Sequence, residues 1–429
     1  MGKLRFVVRN FAKVARADVD LQGVTVIVGE NNSGKSTIGK ALYALCSVFR
    51  NLDERVHTSK VLSVKEAVGH SMVPLLPFIQ NQRRIEQLLT EQVDTARIME
   101  ILRSDVPFLF SPKNRDRQMD AFFESQVEGF VKDIAKIKNI TVAQYREAVV
   151  WEYFENVFHS QVVPVFRNHS KTSLEILNGE HVKVIFDSAS ATIEKIGQPL
   201  FRVCYINGPT VANLLNNDCT LDALEVYDRE LTEDLRGLQS VATESVGVVG
   251  ARKVSNRIKL KQVKKLFDKV IPGSVGKKNK GKLSVNVHGG EPISFENLSS
   301  GLKSFVLLWQ VLDQGLVSDG DVLILDEPEV RLHPEWQIVY AEIIVVLSML
   351  FDLRVLLTSH SVDFIHALSL FVRKYGQSER LRLYCSSINA NGSANIDPVE
   401  NNEWEHLFDA FVKSVDILSE IRDSLPEEK

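Results

Sequence analysis

The chain has only four cysteines in 429 residues, Cys46, Cys204, Cys219 and Cys385, and no two of them form a CxxC pair. That spacing excludes a cysteine zinc site and suits a reducing compartment. No apolar run approaches the ~20 residues that cross a bilayer. The longest candidates, such as IIVVLSMLF, fall well short. The opening MGKLRFVVRNF is broken by Arg9 and lacks a signal-peptide core, and Phe6 stands where a myristoylation signal needs Ser or Thr. A cytoplasmic protein without a membrane is therefore expected. There is no internal repeat, and no heptad register persists over three or four heptads.

Acidic residues are scarce in one place. Between Arg252 and Lys282 there are twelve Lys or Arg and a single acid, Asp268, a local balance of +11. Because the whole chain carries −4, the remainder carries −15. Leu260, Val263, Phe267 and Val270 recur there at helical spacing. One face can bury while Lys259, Lys261, Lys264, Lys265 and Lys269 face outward. A run so short of anions raises the possibility of contact with nucleic acid or an acidic partner through 252–282.

What is present begins with short strands over 4–28, LRFVVRNF, ARADVDL and VTVIV, the last a continuous apolar run suited to a buried strand. A helical pattern runs from Lys35 to about Arg50. Between them lies GENNSGKST, and Gly29-xxxx-Gly34-Lys35-Ser36 has the form of a Walker A P-loop between strand and helix. Such a string arises by chance in about one chain in a hundred of this length. Gly29, Asn31, Asn32, Ser33 and Gly34 would turn backbone N–H groups toward phosphate oxygens at a helix N-terminus, with Thr37 following in its first turn. Lys35 would neutralise the β- and γ-phosphates, and the Ser36 hydroxyl would coordinate Mg2+.

Three further strings complete a constellation. In VLILDEPE (322–329) an apolar strand ends in Asp326, placed to hold Mg2+, and Glu327, placed to polarise an attacking water. NLSSGLKS (297–304) precedes an apolar helical run and carries Ser299, Ser300 and Gly301 at a helix start, where a serine cap is also an anion site. VLLTSHSVDF (355–364) is a buried strand ending in Ser359-His360. Alone, an apolar strand ending in Asp-Glu is weak, and a lone histidine is more often structural. Their order behind a P-loop changes both assessments.

Leu298-Ser299-Ser300-Gly301 resembles the LSGGQ signature of ABC-type ATPases, with Ser300 in place of the first glycine and Leu302 in place of glutamine. His360 resembles the switch histidine of that family, which contacts the γ-phosphate. DEPEVRLHPEWQ is similar to the DEPE-x-x-LHP-x-x-Q run of the RecF/SMC/OLD branch, and the N-terminal FVVRNF…GENNSGKST resembles that branch's opening. The resemblance covers roughly half of the chain. It implies an α/β fold: a P-loop ABC-type ATPase head, with a mainly parallel sheet and an antiparallel N-terminal β-lobe, carrying helical insertions. It further implies that ATP and Mg2+ are bound, and that Ser299, Ser300 and Gly301 act on the γ-phosphate held by another subunit. Glu327, His360 and Lys35 take the catalytic roles. A Q-loop glutamine has no clear position; Gln80, Gln82 and Gln198 are the candidates.

The organisation expected is a head segment over 1–52, a helical insertion over 53–165, a β segment of the head over 166–210, a second helical insertion over 211–276 holding the basic stretch, head again over 277–400, and a helical tail over 401–429. SMC-like arms are excluded by the missing heptads. After His360 fewer than seventy residues remain and none of their aspartates forms DxD, so the TOPRIM nuclease of OLD proteins is not expected. An OLD-like ATPase without a nuclease resembles the ATPase subunits of bacterial anti-phage systems, PtuA-like and PARIS-like. The partners this implies are a second copy, as a homodimer or larger homo-oligomer closed on ATP, and a separate nuclease or toxin effector. Two other functions stay open: a RecF-like DNA-binding ATPase in repair or recombination, and a scaffold that uses ATP structurally.

Overall fold

In the computed structural model the described residues are 4–70, 82–91, 94–105, 117–164, 171–209, 211, 221, 224–236, 246–278, 282–287 and 290–400. The tail expected over 401–429 and Gln80 lie outside them. Contacts divide the chain into two units, residues 1–50 with 153–429, and residues 51–152.

The larger unit is built on an eleven-stranded sheet. β1 (Leu4–Phe11) and β2 (Val14–Leu21) form a hairpin whose alternating burial follows the strand period of two. β4 (Thr172–Asn178), β5 (Glu180–Phe186) and β6 (Ala191–Lys195) extend this antiparallel lobe outward from β1. On the other side five strands run parallel. They are β13 (Leu381–Ile388), β3 (Val24–Gly29), β12 (Arg354–Ser359), β11 (Val322–Asp326) and β7 (Val203–Ile206). β14 (Ala394–Val399) joins the halves, antiparallel to β13 and parallel to β2. This is an α/β fold with a parallel half and an antiparallel N-terminal lobe.

β3, β11 and β12 are buried along their whole length, as strands covered on both faces must be. Alternate residues serve opposite faces. Leu323 and Leu325 join the core formed with α8 (Val246–Phe267), α9 (Ser300–Asp313), α10 (Pro334–Leu350) and α11 (Val362–Lys374). Ile324 meets α1 (Lys35–Arg50) at Gly39, where an added Cβ would lie 3.0 Å from its side chain. α7 (Val226–Arg236) also belongs to this unit, as does a small sheet of β8 (Gly273–Lys278), β9 (Lys282–Val287) and β10 (Ile293–Ser294) just before the signature string.

The smaller unit is helical among its described residues. α2 (Leu52–His70), α3 (Gln82–Thr90), α4 (Thr95–Asp105) and α5 (Arg117–Asn139) bury Val64, Ile85, Ile98, Leu102 and Phe130 in a core of their own. α6 (Val142–Phe158) follows, and its residues from Tyr153 onward count with the larger unit.

Candidate active site

The loop from β3 to α1 is shaped by residues in the left-handed region: Gly29 (φ 152°), Asn32 (φ 61°) and Gly34 (φ 85°). Glycine is required at two of them. A Cβ on Gly29 would lie 2.8 Å from the Ser386 carbonyl, and one on Gly34 would lie 3.0 Å from Val14. Asn31 and Asn32 are exposed at the tip, Ser33 is buried, and Ser36 and Thr37 are half-buried in the first turn of α1. Lys35 is buried, and its ammonium donates to the carbonyls of Gly29 (2.9 Å) and Glu30 (2.8 Å). The amine is thereby folded over the loop with the Glu327 carboxylate 3.7 Å away.

Asp326 ends β11 with its carboxylate surrounded by hydroxyl donors. Ser36 donates to Oδ1 at 2.9 Å, Thr358 donates to the same oxygen, and Tyr205 donates to Oδ2 at 2.7 Å. Burial, then the Asp326 charge, push the Tyr205 phenol well above its usual range, so it remains a donor. Ser36 Oγ beside a carboxylate is a pair of hard oxygen ligands of the kind Mg2+ takes, together with waters and phosphate oxygens. The residues fit that ion.

Glu327 sits at φ 46°, a conformation that costs a non-glycine residue about 1–2 kcal/mol. Its N–H is held by the Thr358 carbonyl (3.1 Å) and hydroxyl (3.0 Å). The carboxylate is left partly exposed, with His360 Nδ1 3.4 Å away. Lys35, Ser36, Asp326, Glu327 and His360 therefore converge at the carboxyl ends of three adjacent parallel strands, the usual place for a ligand in an open α/β sheet.

Ser299 caps α9, its hydroxyl accepting from the Leu302 N–H at 3.3 Å. Ser299 and Ser300 are exposed. Gly301 is buried, and a Cβ there would lie 3.0 Å from the Arg331 carbonyl and 3.2 Å from the Trp336 ring. Two cavities flank the Lys35–Glu327 cluster, of about 550 and 270 Å3, and none of Ser299, Ser300 and Gly301 lines either.

Several participants were not read from the sequence. Tyr205 and Thr358 hold Asp326 but carry no motif spacing, only positions at or near the ends of neighbouring strands. Asn207, just beyond β7, lines the smaller cavity with Ser36 and Asp326, and its amide donates to the Tyr227 hydroxyl at 3.4 Å. Of the glutamine candidates, Gln198 is exposed ahead of β7 and lines neither cavity, and Gln82 begins α3 in the smaller unit. A search for glutamine alone passes over Asn207.

The basic stretch forms most of α8, with Leu260, Val263 and Phe267 buried. Five of its cations are compensated, which qualifies the reading of an uncompensated run. Arg252 pairs with Asp321 (3.3 Å), Arg257 with Asp313 (2.8 Å), Lys259 with Asp319, Lys264 with Asp268 (2.7 Å) and Lys269 with Glu342 (3.1 Å). Four of those five acids lie 45 or more residues further along the chain. Five of the run's twelve cations are paired within the fold, four of them with acids outside the run, so the local balance falls from +11 to +7.

Comparison with known proteins divides the site between two family models. Residues 4–72, with the P-loop, match one described as AAA ATPase domain. Residues 220–365, with the signature string, Asp326, Glu327 and His360, match one described as AAA domain, putative AbiEii toxin, Type IV TA system. No curated protein matches the chain. Among solved structures, it is similar to the SMC head domain from Thermotoga maritima at 12% identity and TM-score 0.39, over 93% of this chain and 100% of that one. It is also similar to an SmcHead bound to the C-winged helix domain of ScpA, at 11% identity and TM-score 0.45 over 94% and 98%. A third, an Smc head with an extended coiled coil bound to the C-terminal domain of ScpA derived from Pyrococcus furiosus, gives 10% identity and TM-score 0.41 over 98% and 100%. The chain thus carries ATPase-domain sequence on both sides of its site.

Proposed function

We propose that this chain is a cytoplasmic, Mg2+-dependent ATPase that closes as a homodimer on ATP and so controls a separate effector, a nuclease or toxin, in bacterial anti-phage defence. One observation carries the ATPase reading: Lys35, Ser36, Asp326, Glu327 and His360, drawn from three distant strings, meet in one cluster. The loop N–H groups and the Lys35 ammonium hold the β- and γ-phosphates. Ser36 and Asp326 would hold Mg2+, which would supply positive charge to offset that of the phosphates. Glu327 takes a proton from the water that attacks the γ-phosphorus as ADP leaves, and His360 hydrogen-bonds the γ-phosphate.

Closure by two copies is supported by the exposed Ser299 and Ser300, which line neither cavity of their own chain. A capped helix start so exposed suits a phosphate supplied by a partner copy. A link to toxin–antitoxin systems draws support from the 220–365 match, whose description reads AAA domain, putative AbiEii toxin, Type IV TA system. Among the described residues no helix is long and apolar enough to cross a membrane.

Glu327→Gln should bind ATP, hydrolyse it at least about a hundredfold more slowly, and accumulate as an ATP-bound dimer. Turnover by phosphate release and mass by light scattering test this. Native-rate hydrolysis by the variant would remove Glu327 from the base role, and a monomer at saturating ATP would remove the shared site.

A further inference from the structure

Glu329 lies three residues beyond Asp326 and is 1% exposed. It makes no salt bridge among the described residues. One carboxylate oxygen, Oε1, accepts from the Ser359 hydroxyl at 2.6 Å and from the His360 N–H at 3.3 Å. The other, Oε2, is buried with no hydrogen-bond partner among the described residues. A desolvated carboxylate with a bare oxygen is an expensive way to fasten a loop, because an apolar or amide side chain would avoid most of the cost.

The bonds around it explain what the cost secures. The Glu329 carbonyl accepts from the Leu332 N–H (2.9 Å) and the Gln337 amide (3.4 Å), which fixes the turn after the strand end. Gln337 in turn accepts from the Ser361 hydroxyl at 3.1 Å, and the Ser361 N–H donates to Ser359 Oγ at 3.1 Å. The segments that present Glu327 and His360 are thus tied at two points, with Glu329 the only side chain bonded to the His360 backbone among the bonds described.

We propose that Glu329 is a positioning residue that fixes the 359–361 turn, and through it the His360 imidazole, against the Glu327 carboxylate. Strand end and histidine loop then move as one body when nucleotide enters. This rests on the ATPase reading for its kinetic readout only.

The test compares Glu329→Leu, Glu329→Gln and Ser359→Ala in the full chain, alone and combined with His360→Ala. Glu329→Leu should lower kcat about tenfold or more while ATP affinity stays within about twofold. Glu329→Gln keeps an acceptor at Oε1 and should recover most of that loss. In the His360→Ala background Glu329→Leu should add nothing, as expected when one residue acts through the other. A folded Glu329→Leu variant with native kcat, or losses that multiply in the double variant, would overturn the proposal. Should Glu329→Leu not fold, Ser359→Ala takes its place with the same expectations. If the native chain hydrolyses no ATP, the ATPase reading falls by itself, and the imidazole NMR signal of His360 becomes the readout. A signal unmoved by Glu329→Leu and by Ser359→Ala would then reject the positioning role.

Discussion

Replacing Gly39 by alanine sets two effects of opposite sign against each other. Gly39 lies inside α1, where alanine is favoured over glycine by about 1 kcal/mol. The added methyl would lie 3.0 Å from Ile324 Cγ2 and 3.1 Å from Tyr205 Cε2. Both neighbours are fully buried and cannot swing aside, and overpacking of this kind costs about 1–3 kcal/mol. The clash should cancel or exceed the helical gain, for a net loss of about 0–2 kcal/mol and a fall in Tm of up to about 4 °C. Function should suffer more than stability. α1 opens with Lys35 and Ser36, and Tyr205 is the residue that holds Asp326 Oδ2, so the strain falls on the proposed phosphate and Mg2+ ligands. MgATP affinity by calorimetry should weaken about threefold to tenfold. Gly129→Ala is the control: Gly129 is exposed in α5 with open space around its Cα, so the same substitution should stabilise its unit by about 0.5–1 kcal/mol. A Gly39→Ala variant with higher Tm and native MgATP affinity would refute the packing at this contact.

Two further outcomes are expected. Lys261→Glu and Lys265→Glu alter exposed side chains of α8 and should leave stability within about 0.5 kcal/mol and duplex DNA retention in a gel shift unchanged, whereas Lys269→Glu sets a second carboxylate against buried Glu342 and should cost about 1–2 kcal/mol; a salt-sensitive loss of DNA binding in the first two would support the nucleic-acid reading. Burial, then the Glu225 charge, push the Asp228 carboxyl up to about 6, so the folded chain holds that proton more tightly than the unfolded one and loses stability as pH rises from about 4 to 6. Asp228→Asn should therefore gain about 1–2 kcal/mol above about pH 7, allowing for partial solvent screening, and the gain should vanish near pH 4 in thermal melts.

The sequence carried the parallel half of the sheet well, because strands buried on both faces leave unbroken apolar runs such as VTVIV and VLILD. Motifs stood out for a similar reason. Phosphate cradles need glycines at fixed spacing, and Asp-Glu must follow a strand end. Tyr205, Thr358 and Asn207 escaped notice because each contributes a single polar atom at or near the end of a different strand, and strand adjacency is not written in local pattern. Counting charge in a window overstated the surplus of the basic stretch, since Asp313, Asp319, Asp321 and Glu342 reach it from far along the chain. Strands β13 and β14 also went unread, although their place between β2 and β3 decides how the sheet closes.

That last placement bears on how the protein is made. Gly29 is paired with Ser386, whose hydroxyl donates to the Ser33 carbonyl, and Gly34 lies over Val14 and Ala394. The floor beneath the phosphate cradle is thus synthesised some 350 residues after the cradle itself. At ordinary translation speeds that is a wait of roughly 20–70 s. During it the GENNSGKST segment lacks its contacts with Ser386 and Ala394, so a ribosome-bound fragment ending before β13 should bind ATP more weakly than the whole chain.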